Sequence, residues 1–480
     1  MINFFNIAIP SSLLVLGFFD TMMLFATVAA GLGVHVLMTD GTVVDIQASF
    51  QWQAISYATA IMTCLYIMGC YDRTFLLRPR FAILRMLASF ALAALTLALT
   101  TWAFPQAQMP GDAQAVCMGL SLFTLSASRD ILKRIADLPF WKSRVMILGT
   151  GEQARRIEEL ERNHQAAGFL CLGFVATDDD GGCGGGYGGG HGGGCGGGSA
   201  AERPDRVIRT TDLVSTYKRL KADEIVLAGD ARGDARLREM LLQARLKGLR
   251  VIDAETLMER ELGQLTIDNA YPDWLLFSQK TCQSRMGRAG KRVFDIAASL
   301  TLLTLTAPLM ALTAVAVWLE DRGPILYRQE RVGLNGTTFH VLKFRSMRID
   351  AEKDGVARWA AVKDPRVTLV GSFIRKVRID ELPQVINVLR GEMSFVGPRP
   401  ERPSIVADLA QEIESYSYRH IVKPGITGWA QVNYPYGASI EDAKQKLKFD
   451  LYYVKNHSIL LDLIIMLQTV RVVLWPDGAR

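Results

Sequence analysis

Cysteine is scarce in this chain. Seven in 480 residues are too few and too scattered for a disulfide-stapled scaffold. A strong charge of either sign is also missing. The net charge is +6 over that length, which argues against a nucleic-acid partner and leaves room for anionic lipids or anionic substrates. Charged residues at 21% and aromatics at 9% exclude a disordered chain. The N-terminus has no basic region ahead of its first apolar run, so no cleaved signal peptide is expected. Lys and Arg are absent from residues 38–51 and 105–111, and that absence carries orientation below.

Hydrophobic residues make up 49% of the chain, and they are unevenly spread. The length suggests roughly three units. Residues 1–128 read as a bundle of four transmembrane helices, with apolar stretches at 13–37, 52–71, 83–104 and 112–128, each near the ~20 residues a span needs. Arg73, Arg78, Arg80 and Arg85 follow the second stretch, and Arg129, Lys133, Arg134, Lys142 and Arg144 follow the fourth. With the other two loops free of basic residues, both ends of the bundle are expected in the cytoplasm. Asp20 interrupts the first span and reads as a structural partner of another helix or of the interface. Cys64, Cys70 and Cys117 read as small apolar residues.

Residues 129–284 change character. Short apolar runs at 145–148, 170–176, 207–209, 224–228 and 249–252 alternate with helical patterns, as in a Rossmann-like parallel α/β domain. Gly149-Thr150-Gly151-Glu152-Gln153-Ala154 resembles a dinucleotide-binding turn, but no acid stands clearly at the end of the next strand. The favoured reading is a tight turn in a scaffold without a ligand. The insert at 181–198 is almost all glycine, broken by Cys183, Tyr187, His191 and Cys195. It reads as a flexible surface loop rather than a metal site, because ordering such a tether is entropically costly.

Residues 285–480 form the third unit. An apolar segment at 293–319 is long enough for a fifth span. Pro308 falls in its middle, and basic residues flank both sides: Arg285, Arg288, Lys291 and Arg292 before, Arg322, Arg328 and Arg331 after. Proline breaks a helix, and cations on both flanks favour a re-entrant helix that bends at Pro308 and returns to the same face. A Pro-kinked single span is the alternative.

Beyond it, basic groups surround a pair of acids. Lys343 and Arg345 lie two apart in an extended stretch, Arg375-Lys376-Val377-Arg378 follows, and Asp380-Glu381 comes next. Arg399 sits between Pro398 and Pro400 on a stiff turn. Phosphoryl transfer requires charge neutralisation, alignment and a nucleophile. Lys and Arg bind phosphate oxygens, adjacent carboxylates can hold Mg²⁺, and a carboxylate can attack phosphorus. Alone, Asp380-Glu381 reads as a charged helix start, and each basic residue is equally a surface cation. The final stretch, 459–475, has apolar residues at helical spacing and reads either as an interfacial helix or as a core helix.

The strings KRVFDIAAS, PILYRQERVG, FHVLKFRSM, IRKVRIDELPQVINVLRGEMSFVGPRPE and RHIVKPGITGWAQVN run in this order from Lys291 to Asn433. They resemble the bacterial sugar transferases, the monotopic phosphoglycosyl transferases, and the preceding units resemble that family's long, polyprenyl-phosphate hexose-1-phosphate forms. The resemblance implies transfer of a sugar-1-phosphate from a UDP-sugar to undecaprenyl phosphate with release of UMP. It implies Asp380 as nucleophile and Glu381 as its partner acid, both with Mg²⁺ as the metal they hold. Lys343, Arg345, Arg375 and Arg399 are the candidate diphosphate contacts. It places the enzyme in the bacterial inner membrane with its catalytic domain cytoplasmic, in exopolysaccharide or O-antigen assembly. A homodimer is suggested by the large bundle and α/β domain. Two departures stand out: Ala307 precedes Pro308 where the family has Ser, and Arg378 stands where many members have Ser or Thr, an extra cation expected to lower the Asp380 pKa. The competing reading is a non-enzymatic membrane scaffold or nucleotide sensor built on the middle domain.

Overall fold

The computed structural model describes residues 2–4, 7–9, 11–39, 43–71, 79–136, 142–149, 152–162, 168–176, 207–209, 213–228, 235–266, 285–349, 366–435, 437 and 439–474. The glycine-rich insert and Thr150-Gly151 lie outside them. A short hairpin, β1 (Ile2–Phe4) with β2 (Ile7–Ile9), precedes four long helices: α1 (Ser11–Thr39), α2 (Val43–Ile67), α3 (Pro79–Ala103) and α4 (Gly111–Ala136).

In the bundle, α1 packs between α2 and α4, and α3 packs on α2. Leu24, Val28, Tyr57, Ile61, Leu65, Phe90 and Leu125 fill its core. Small residues permit close approach, as expected where lipid supplies no hydrophobic drive between helices. A side chain at Gly31 would run into Cys117 Sγ. The expected end of the bundle at residue 128 falls inside α4, which continues to Ala136. The reason is chemical: Arg129 is fully buried and bonds Asp20 at 2.8 Å. Tyr71 donates to the same carboxylate at 2.7 Å, and the guanidinium lies over the Tyr71 ring, 4.7 Å from its centroid. Asp20 thus joins α1, the end of α2 and α4, in line with its structural reading.

The middle unit is a five-stranded parallel sheet ordered β5-β4-β3-β6-β7. Its strands are β3 (Ser143–Leu148), β4 (Phe169–Ala176), β5 (Val207–Arg209), β6 (Glu224–Leu227) and β7 (Arg250–Asp253). Side chains alternate across a strand. Val145 and Ile147 therefore face α5 (Glu152–Arg162) and α8 (Ala254–Leu262), while Met146 and Leu148 face α6 (Leu213–Leu220) and α7 (Ala235–Leu246). Gly149 has φ +112°, and a Cβ there would lie 2.5 Å from the Ala228 carbonyl oxygen. Glycine is required here for close packing of the strand ends, whatever the turn binds.

The C-terminal unit opens with α9 (Arg285–Asp321), a 37-residue helix containing Pro308. It continues through an antiparallel hairpin, β8 (Leu326–Val332) with β9 (Thr338–Phe344), then α10 (Leu369–Lys376), α11 (Gln384–Arg390), β10 (Ser394–Val396) and α12 (Pro403–Glu412). Next come β11 (Gly425–Thr427), parallel to β10, and α13 (Trp429–Asn433), α14 (Ile440–Asn456) and α15 (Ile459–Leu474).

Both ends of α9 are fastened to this one unit. Near its start, Lys291 bridges Asp295 (3.0 Å) and Asp462 (2.7 Å), and Asp295 also accepts from Ser394 Oγ and the Phe395 N–H. Arg292 donates to the last carbonyls of α11, those of Val388 and Leu389. Near its finish, Val317 packs with Phe344 and Ile374, Glu320 accepts from the Leu369 and Val370 N–H groups that open α10, and Asp321 pairs with Arg345. Between Ser299 and Thr313 no residue is buried, and Leu305 is 75% exposed.

Among the described residues, three helices are long and apolar enough to cross a membrane: 14–38, 83–103 and 285–321. The protein is membrane-associated, with apolar N-terminal helices and an α/β C-terminal unit. α15 has one buried and one exposed apolar side. Leu461 and Ile465 are buried in the core, whereas Ile459, Leu463, Val470 and Val473 stay exposed on its other side, and the helix also packs against α2.

Removing one partner of a buried ion pair strands the other, at about 3–5 kcal/mol. Arg129→Met should therefore lower the unfolding temperature of the detergent-solubilised chain markedly. Adding Asp20→Leu should recover much of that loss in the same thermal melt.

Candidate active site

The site is built on a sharp turn between two helices. Thr368 caps α10, accepting from the Gly371 N–H at 2.9 Å. After Lys376 the chain turns through Arg378, whose φ of 60° is left-handed. A side chain there costs about 1–2 kcal/mol of local strain. The strain aims the next residues inward: Ile379–Glu381 form a single 3-10 turn, and Asp380 and Glu381 are only 8% and 9% exposed. Asn387 on α11 locks this turn to β9. Its side chain accepts from the Leu342 N–H and donates to the His340 carbonyl.

The two acids have different partners. Glu381 receives Lys343 Nζ at 3.0 Å, Arg399 at 2.7 Å and 3.5 Å, and Arg378 at 3.8 Å. Arg399 and Lys343 hold its carboxyl well below the usual range, overriding burial. Asp380 lies beside this cluster, yet its Oδ1 is buried without a hydrogen-bond partner. Burial, together with the negative charge of Glu381, pushes its carboxyl above the ordinary value, and Lys343, Arg378 and Arg375 only partly offset this. Arg378 acts to lower the Asp380 pKa, as expected, but desolvation and the adjacent carboxylate outweigh it.

Of the sequence-predicted contacts, Lys343 and Arg399 converge on Glu381, and Arg375, half-buried on α10, acts electrostatically on Asp380. Arg345 is engaged elsewhere. It leaves the end of β9 and pairs with Asp321 at the finish of α9. Pro308 belongs to the exposed middle of α9.

Arg419 has a role that sequence reading did not assign. Buried against Asp450 (2.7 Å) and Tyr416 Oη (2.7 Å), it donates to the Arg399 carbonyl at 2.9 Å. It thereby steadies the backbone from which Arg399 reaches Glu381. Asp450 thereby joins α14 to the turn that carries Arg419. Gly397 supports the same loop, where a Cβ would collide with the Lys423 carbonyl oxygen. The middle unit braces this region from behind. Trp429 Nε1 donates to the Gly263 carbonyl at 2.7 Å, and Glu259 holds Lys455 (2.6 Å) and Asn456 (2.8 Å).

The opposed environments give a direct test in ¹³C-carboxyl NMR of the labelled protein. Glu381→Gln removes a neighbouring negative charge and should lower the Asp380 pKa. Lys343→Met removes a positive one and should raise it. Shifts of the same sign would contradict the arrangement.

The family model described as "Bacterial sugar transferase" matches residues 286–476. The chain is 49% identical over 190 residues to the UDP-N-acetylgalactosamine-undecaprenyl-phosphate N-acetylgalactosaminephosphotransferase of Aeromonas hydrophila, covering 40% of this chain and 45% of that protein. It is 44% identical over 189 residues to the UDP-glucose:undecaprenyl-phosphate glucose-1-phosphate transferase of Escherichia coli, covering 39% of this chain and 40% of that protein. The chain thus spans less than half the length of these relatives. With the undecaprenyl-phosphate galactose phosphotransferase of Salmonella typhimurium the match is 30% identical over 421 residues, 83% of this chain and 81% of that protein. That alignment is too long to be confined to the C-terminal unit. A matched catalytic unit, and a relative aligned over most of both lengths, make this chain a long-form member of the bacterial sugar transferase family.

Proposed function

We propose that this protein transfers a sugar-1-phosphate from a UDP-sugar to undecaprenyl phosphate, releasing UMP, as an early membrane step in surface polysaccharide assembly. The observation that carries the reading is the buried Asp380 Oδ1 with no hydrogen-bond partner, set among Lys343, Arg375, Arg378 and Arg399. A carboxylate whose neighbours' cations are largely committed to Glu381 is available as a nucleophile.

In the first step an Asp380 oxygen attacks the sugar-bearing phosphorus of the donor. The bond from that phosphorus to the bridging oxygen breaks, and UMP leaves with the electron pair. A phosphate oxygen of the lipid then attacks the same phosphorus, and the Asp380 carboxylate departs. The product is the lipid diphosphosugar. Lys343 and Arg399 stabilise charge on the transferring group, while Glu381 orients both and stays ionised. Arg419 acts as a positioning residue through the Arg399 backbone.

The residues fit Mg²⁺ in a limited way. Asp380 Oδ1 offers one free hard oxygen, whereas Glu381 is occupied by cations, and no cluster of three or more metal-binding side chains exists among the described residues. Asp380 would therefore share the ion with the donor's diphosphate, the usual manner for Mg²⁺. Bound there, the ion would neutralise diphosphate charge.

The membrane arrangement we infer has four N-terminal spans, a cytoplasmic catalytic unit at the inner membrane, and α9 as a re-entrant helix bent at Pro308. Support for the bend comes from the anchoring of both ends of α9 on one unit, with its exposed apolar middle between them. At 1.5 Å per residue a straight 37-residue helix would extend about 55 Å, far beyond the ~30 Å bilayer core. The scaffold or sensor reading draws no support from Gly149, which close packing already explains.

Purified protein in detergent, screened against a panel of UDP-sugars with undecaprenyl phosphate, should release UMP and carry a phospho-sugar adduct on Asp380 by mass spectrometry. Asp380→Asn should abolish both, and normal turnover by that variant would refute the assignment. In cells, single cysteines placed at residues 288 and 328 should both resist membrane-impermeant thiol reagents applied from outside. Labelling of residue 328 would instead establish a fifth span.

A further inference from the structure

We propose that Arg378 is the contact for the phosphate monoester of the lipid acceptor, separate from the cations that receive the nucleotide. The proposal rests on the transferase reading above and divides its site in two. Lys343 and Arg399 are committed: both sit within 3.0 Å of Glu381, and Arg399 is further steadied through its carbonyl by Arg419. Arg378 is held loosely. Its guanidinium is 3.8 Å from Glu381 and its side chain is 52% exposed. A third, long and half-solvated pair to an acid already satisfied contributes little, so an incoming phosphate can recruit this cation with small loss.

Position gives the source of that phosphate. Arg378 directly follows α10, whose Val370 and Ile374 pack with Met310, Ala314 and Val317 of α9, the turns just beyond Pro308. The adjoining side of α10, about 100° around the helix, carries Leu369, 88% exposed, and Phe373. A short helix seated on a membrane helix, with apolar residues outward and Lys376 beside them, lies in the lipid interface. Arg378 therefore stands between that interface and Asp380. The backbone at this position is left-handed, and the guanidinium reaches to 3.8 Å from Glu381 of the dyad. A phosphate at headgroup depth meets this guanidinium before it reaches Asp380, and guanidinium binds phosphate through paired hydrogen bonds.

The test uses the full-length protein in nanodiscs and reads binding apart from turnover. Asparagine tolerates a left-handed backbone, so Arg378→Asn removes the cation without forcing the turn to refold; Arg378→Lys restores a point charge. Farnesyl phosphate is the acceptor probe and UDP the donor probe. Loss of a charge-assisted contact should weaken farnesyl phosphate about tenfold or more in Arg378→Asn, with UDP changed less than about threefold and partial recovery in Arg378→Lys. In turnover, the KM for undecaprenyl phosphate should rise in the same pattern. Equal weakening of both probes, or weakening of UDP alone, overturns the proposal. So does an effect limited to weaker binding of phosphatidylglycerol vesicles, which would make Arg378 a general lipid contact. Absence of UMP release by the unaltered protein would strike the transferase reading, whereas the binding comparison would still decide the role of Arg378.

Discussion

The site depends on one asymmetric capture. Glu381 takes Lys343 and Arg399 as close partners, and Asp380 beside it takes none through Oδ1. Two adjacent buried carboxylates would ordinarily raise each other's pKa. Here the cations are spent on one acid, which stays ionised, while the other keeps the desolvation and repulsion. The same partition separates structure from reactivity: Glu381 organises the cations around a neighbour that remains free to form a bond. The left-handed Arg378 is what places both side chains inward from a turn of only three residues.

The second constraint is depth. A nucleophile that meets a lipid phosphate must lie close to the membrane surface, yet a nucleotide sugar must reach it from water. The fastening of α9 at both ends addresses this. Lys291, Arg292 and Asp295 tie its start to α11, β10 and α15, and Glu320 ties its finish to the first N–H groups of α10. Since α10 leads into the turn that carries the dyad, α9 and Asp380 are joined through hydrogen bonds rather than by a loose linker. Positional uncertainty in the bilayer is thus kept out of the reacting geometry.

Much of this was legible in the chain because it is local. The acids, Lys343, Arg399 and the bracketing prolines lie in short strings whose chemistry can be read directly, and the alternation of strand and helix in the middle unit follows from period and length. What was hidden depends on long separations. Arg419 finds Asp450, thirty-one positions away, and Trp429 finds the Gly263 carbonyl; no local pattern marks either. The net rise of the Asp380 pKa was not legible because a nearby cation is visible in sequence whereas burial is not. The pairing of Arg345 with Asp321 was not legible because two-residue alternation ends with β9 at Phe344. Pro308, expected to bend α9, has helical residues on both sides of it. One lost N–H leaves the other backbone bonds intact, and an apolar surrounding offers their groups no alternative partner.

Charge balance links these features. Lys343, Arg375, Arg378 and Arg399 face Asp380 and Glu381, so the site without substrate carries an excess of two positive charges when both acids are ionised. A diphosphate in its dianionic form supplies the complement. The Asp380 carboxyl, already raised by burial, would be raised further by that dianion if fewer cations were present. Under the proposed transfer that excess of positive charge would be the same before the donor binds and after UMP leaves, because a phospho-sugar on Asp380 would replace the carboxylate's single negative charge with its own. The site would therefore favour an anion at both stages without a large movement of the fold.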